Sequence, residues 1–225
     1  MKARETFAQI VIQLALIITG VFTALAVENW RESIAEKKIG REYLINLREA
    51  VQSDTAMIKA EIKKGFDKEN AAGEMLKLID SGKTVDSEEF EDMIENILVL
   101  ISPACMTTVY DELKSTGNLK LIRNNDLKKS MIVYYSSFEL LLLQVARIMN
   151  YNLDFMDAID YEELTYRNPF SQETILTHLR KSEGAKRHLR ELQKVMFFYH
   201  QGMIYNMLPK SLELLDKINR DLESR

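Results

Sequence analysis

From Thr6 to Val27 every position is uncharged, and all but Thr6, Gln9, Gln13, Thr19 and Thr23 are apolar or glycine. At helical rise this run spans roughly 33 Å, against about 30 Å of bilayer hydrocarbon. It predicts a transmembrane anchor over residues 1–32, with Lys2 and Arg4 at one boundary and Asn29 and Trp30 at the other. The indole ring of a tryptophan prefers the headgroup layer. Two other readings fit the same run: a secretory signal with Ala24-Leu25-Ala26 as its cleavage site, and a buried helix of a soluble core. The run exceeds the ~7–15 apolar residues usual in a signal, which favours the anchor.

Within the run, Gln9, Gln13, Gly20, Ala24 and Val27 fall on one helical stripe together with Leu16. A glutamine amide in hydrocarbon needs a protein partner, because no water is there to satisfy it. Small residues on the same stripe let a second backbone come close. The stripe therefore predicts packing against another helix, in a homo-oligomer or in a membrane protein complex.

The pattern beyond the anchor is helical throughout. Leu44, Leu47, Val51, Ile58 and Ile62 recur at 3-, 4- and 7-residue spacing, in a helix continuous with the anchor or close behind it. A further helical stretch, Asn70 to Ile79, ends near Gly82. Asp86 or Ser87 starts a helix that Pro103 closes, and Thr107 or Thr108 opens another that ends at Gly117. Leu127, Met131, Tyr134, Phe138, Leu142, Val145 and Met149 share a face, and with Leu140 and Leu143 on other faces this segment reads as the central buried helix. Its four charges, Lys128, Lys129, Glu139 and Arg147, argue against a second crossing. Asn168-Pro169 reads as a turn with Ser171 as the cap of the next helix, and a last helix from Ser182 to Leu222 kinks near Pro209. The expected fold is all-α: one N-terminal transmembrane helix continuing into a bundle of five to seven helices over residues 33–225.

Composition supports this. Glycine and proline number 8 and 3, too few for a turn-rich β architecture. A net charge of −4 lacks the basic excess of a nucleic-acid binder. Cys105 is the only cysteine, which excludes zinc sites built on several thiolates. The charge difference across the anchor places the N-terminus inside and the domain outside the cytoplasm; a count of Lys and Arg alone favours the opposite.

Candidate chemistry is sparse. His178, His188 and His200 are too far apart to form a metal pair, and His200 sits in an apolar stripe as a core histidine would. Asp154, Asp157, Asp160, Glu162 and Glu163 make an acidic patch without the spacing of a calcium loop; it reads as a solvated face, with acid–base catalysis as the alternative. Arg180, Lys181, Lys186, Arg187, Arg190 and Lys194 make a basic patch, read either as helix surface or as a contact for lipid or a partner. No nucleophile elbow, phosphate loop or dinucleotide fingerprint occurs, so no cofactor, metal or catalytic residue is implied.

Two segments carry a resemblance. GVFTALAVENWRE, Gly20 to Glu32, has the pattern G-x-x-x-A-L-x-x-x-N-W-x-E, and YDELKSTGNLKLIRNNDLKKSMIVYY runs from Tyr110 to Tyr135. The pair resembles a bacterial family of single-pass membrane proteins of unknown function. The resemblance implies an N-terminal anchor in the inner membrane and a helical domain, and no activity. Read physically, the second segment is a helical corner: Gly117 suits the left-handed position after a helix end, and Asn124, Asn125 and Asp126 are caps for the next helix. The functional expectation is a non-enzymatic membrane-anchored protein that assembles with itself or a membrane complex. The alternatives are a ligand-sensing bundle acting through a membrane partner and an enzyme using the acidic patch.

Overall fold

A computed structural model describes residues 2–158 and 172–224, with side chains from Gln13 to Asp157 (Ala15 excepted) and from Gln172 onward. It is all-helical; no strand occurs among the described residues. The helices are α1 (Lys2–Ser81), α2 (Ser87–Leu98), α3 (Thr108–Ser115), α4 (Asn125–Ala158), α5 (Gln172–Lys181), α6 (Glu183–Gly202) and α7 (Leu208–Glu223). A 3-10 turn, Asn118–Leu121, precedes α4, and a π-helical turn, Met203–Met207, joins α6 to α7.

α1 dominates the molecule. It runs unbroken through Gly65 and Gly73, so the stretch Asn70–Ile79 is its last part and not a separate helix. From Leu44 on, one strict heptad seam is buried: Leu44, Leu47, Val51, Asp54, Ile58, Glu61, Gly65, Lys68, Ala72, Met75 and Ile79. Their spacing alternates three and four, which keeps one face of a helix against its neighbours. α6 and α7 lie antiparallel along this seam. Tyr199 meets Glu61 at one level and Arg41 meets the Leu222 carbonyl nearer the N-terminal end of α1. At Gly65 an added Cβ would sit 2.9 Å from the His200 Cβ, so glycine permits the close approach of α6.

Asp54, Glu61 and Lys68 interrupt the apolar seam at intervals of seven, and each is buried. Each is partnered by a different element, as buried polar groups must be. The Asp54 carboxylate accepts from the Met106 amide (2.8 Å) and the Tyr134 hydroxyl (3.0 Å). Glu61 accepts from the Tyr199 hydroxyl (3.1 Å) and Lys64 (2.6 Å). Lys68 donates to the Ile97 and Val99 carbonyls at the C-terminal end of α2. Burial pushes its amine down to about 7. The three groups fix the register of α1 against α4, α6 and α2.

The other elements begin and end for local reasons. Asp86 caps α2 by accepting from the Glu88 amide, and Ser182 caps α6 by accepting from the Ala185 amide. α2 ends at Leu98, five residues before Pro103. Pro209 lies in the first turn of α7, where a missing amide hydrogen is harmless. The π turn just before it marks the break expected there.

α4 packs on α6 and α7 at the edge of the bundle, so α1 is the central helix and α4 is not. Its buried face is Leu127, Met131, Tyr134, Tyr135, Phe138, Leu141, Val145, Ile148 and Phe155. Leu142 and Met149, expected inside, are exposed, as are Leu140 and Leu143. α4 is the helix, among the described residues, long and apolar enough to cross a membrane over Asn125–Asp157. Its inner face nonetheless meets protein, and Lys217 and Lys210 bond to Asp126, Ser130 and Ser137 along it. The Asn168-Pro169 turn and the Ser171 cap lie outside the described residues.

Candidate functional site

Chemistry concentrates where the middle of α1 meets the linker before α3. That linker, residues 99–107, has no helix of its own, so its polar groups must find partners elsewhere. Asp54 supplies one: besides Met106 and Tyr134 it accepts from the Cys105 thiol (3.1 Å). Burial, reinforced by the Asp54 carboxylate, holds the Cys105 thiol well above the usual thiol range. The Tyr134 hydroxyl is raised by the same surroundings, burial first. Both shifts favour the protonated forms, in which the Cys105 thiol and the Tyr134 hydroxyl donate to the Asp54 carboxylate.

Beside the cluster lies a recess of about 430 Å³ lined by Pro103, Cys105, Tyr110, Lys114, Tyr135 and Glu139. Tyr110 and Tyr135 stack with ring centroids 4.2 Å apart, and the Lys114 ammonium lies 4.5 Å from the Tyr110 centroid. Lys114 also pairs with Asp111 at 2.9 Å. The Tyr135 hydroxyl is buried and has no hydrogen-bond partner among the described residues. The hydroxyl is closed to solvent, so it is the ring of Tyr135 and not its oxygen that forms part of the recess wall. The recess thus presents a stacked aromatic wall beside the charged side chains of Lys114 and Glu139.

Tyr110, Asp111, Lys114, Tyr134 and Tyr135 all belong to the second segment of the resemblance, whose two ends the fold brings together. Its middle forms the expected corner. Gly117 has φ +71° and ψ 10°, the left-handed region. Asn124 caps α4 by accepting from the Asp126 and Leu127 amides. Asn125 begins the helix, and Asp126 pairs with Lys217 at 2.9 Å. Sequence reasoning missed Asp54 and the recess. The signal was there: a carboxylate on the same seam as Leu47, Val51 and Ile58 must be buried and partnered.

The remaining predicted residues are dispersed. The side chain of Gln9 lies outside the described residues. Gln13, Gly20, Ala24, Val27, Asn29 and Trp30 are exposed on α1, clear of the bundle, and nothing lies within 4 Å of a Cβ added at Gly20. His200 is a core residue, as expected, 3.1 Å from Glu69 and stacked on Phe66. Asp160, Glu162 and Glu163 of the acidic patch lie outside the described residues. Asp154 and Asp157 are exposed, and Asp154 is 3.8 Å from His188.

In the basic patch, Lys186 pairs with Glu183, Lys194 with Glu191, and Arg180 donates to the Lys83 carbonyl. Lys181, Arg187 and Arg190 face solvent. The patch sits near the C-terminal end of α1, roughly 60–75 Å of helix rise beyond Trp30. That is the end of the bundle farthest from the N-terminal run. An acidic groove of about 570 Å³ between α1 and α2 is lined by Asp67, Glu74, Asp86, Glu88, Glu89 and Asp92. Among the described residues no group of His, Cys, Asp or Glu is arranged to hold a metal ion. Comparison with family models, with curated proteins and with solved structures gave no match.

Proposed function

We propose that this chain is a membrane-anchored, non-enzymatic helical protein whose N-terminal helix crosses a bacterial inner membrane once and packs there against a second helix, its own copy or that of a membrane complex. One observation carries the reading. From Leu14 to Trp30 α1 stands clear of the bundle with its described apolar side chains bare, Leu16 at 67 % and Phe22 at 67 % exposure among them. Contiguous exposed apolar surface favours lipid over water, and the uncharged run that contains it, Thr6–Val27, is long enough to cross a bilayer core. The resemblance of Gly20–Glu32 to single-pass proteins supports the same reading, and the charge difference across the run supports a domain outside the cytoplasm.

Replacing Gln13 and Gly20 together by leucine tests the packing. The expected outcome is a smaller particle in mild detergent, with membrane attachment unchanged on alkaline extraction; an unchanged particle would refute helix packing through this stripe. A second reading, a ligand-sensing bundle, is favoured by the recess lined by Cys105, Tyr110, Lys114, Tyr135 and Glu139. It would work through a partner across the membrane.

A further inference from the structure

We infer that a basic crevice at the anchor end of the bundle binds the phosphate-bearing headgroup of an anionic phospholipid. The crevice, about 520 Å³, is lined by Lys37, Lys38, Arg41, Arg123, Asp221 and Ser224. Among the described residues, four cations thus line it with one carboxylate. None of the four forms an ion pair among the described residues, whereas Lys64, Lys114, Lys194 and Lys217 elsewhere each find a carboxylate. Arg41 is oriented by donating to the Leu222 carbonyl at 3.0 Å, the last turn of α7. Arg123 comes from the corner between α3 and α4, so the site exists only when α1, α4 and α7 are assembled.

Depth along α1 selects the ligand. The inference rests on the reading of Thr6–Val27 as membrane-spanning, with Trp30 at its boundary. Lys37 and Arg41 then lie roughly 10 and 16 Å of helix rise beyond the indole. Headgroups occupy about 5–8 Å on each side of the hydrocarbon, and a lysine stem reaches back across the difference. Trp30, Ile34, Lys37 and Arg41 share one face of α1, apolar first and cationic next, the order in which a lipid presents acyl chain and phosphate. Trp30 and Ile34 are exposed, at 66 % and 50 %. This face is turned roughly 70° from the Gln13–Val27 stripe, so lipid and a packed helix can be held together. The basic patch around Arg187 is at the wrong end of the bundle for the same lipid surface.

The test uses the full chain in non-ionic detergent, with native mass spectrometry against phosphatidylglycerol, phosphatidylcholine and inorganic phosphate. Phosphatidylglycerol should be retained over phosphatidylcholine. Preference should fall about fivefold for each cation removed in Lys37→Ala, Lys38→Ala and Arg123→Ala, and it should survive Lys181→Ala with Arg187→Ala and Arg190→Ala. If the triple variant at the crevice does not fold, Arg123→Gln alone should still lose about fivefold. Equal retention of the two lipids, or an equal loss from the distal variant, would overturn the inference. Inorganic phosphate that displaces phosphatidylglycerol at comparable concentration would overturn the lipid as the source of the phosphate. Alkaline extraction of the same chain separates the two readings: a protein that stays in the membrane without lipid preference loses the crevice alone, and one that is extracted loses the anchor as well.

Discussion

Lys68 is the most informative single side chain. Its amine is enclosed among α1, α2 and the linker, and burial alone holds its proton affinity far below that of a free lysine. Between about 7 and the ordinary value of 10.5 the unfolded chain binds a proton that the native chain does not. Stability must therefore rise with pH across that window, and the full cost of charging the buried amine is felt below it. One proton sets a limit of about 1.4 kcal/mol per pH unit. Urea unfolding at about pH 7.5 and about pH 9 should show a gain approaching that slope, and Lys68→Met should abolish it. An unchanged slope in Lys68→Met would place the titrating group elsewhere. The tyrosines Tyr134 and Tyr199, raised chiefly by burial, act in the opposite sense only at higher pH.

At the scale of elements, the corner from α3 to α4 is held by backbone geometry more than by contacts. Gly117 has open space where a Cβ would go, yet its positive φ strains any L side chain. Gly117→Ala should lower stability by about 1 kcal/mol, a melting shift of about 2–4 °C for a domain of this size. Calorimetry of the full chain reads it directly. Caps and corners such as Asp86, Ser182, Gly117 and Asn124 were legible in the sequence because their chemistry is local. The phase of α4 was not. Leu140 to Leu143 are four consecutive leucines, which satisfy every helical face equally, so only the neighbours decide that Leu141 goes in and Leu140 and Leu143 stay out. The recess was hidden for a related reason. Cys105 and Tyr110 lie 25 to 30 residues from Tyr135 in the chain, and the buried Asp54 helps to bring the linker onto α1. Asp54, Glu61 and Lys68 themselves could have been read as core positions, since their seven-residue spacing continues the seam of Leu47 and Met75.

For the whole molecule, the organising fact is that one continuous helix carries both the uncharged N-terminal run and the central seam of the bundle. Spin labels at Phe22 and Ile39, both exposed, lie 17 residues apart, so a continuous helix sets them about 25 Å from one another. Electron–electron resonance on the full chain should give a single narrow distribution there. A broad one would mean that α1 bends between Phe22 and Ile39. A shaft without a joint also has a fixed angular setting. Each residue added between Trp30 and Gly40 would twist everything upstream by about 100° beneath the bundle, whereas seven residues would bring it back to within about 20°. The length of that short collar thus acts as a gear, and it decides which side of the domain looks the same way as Gln13.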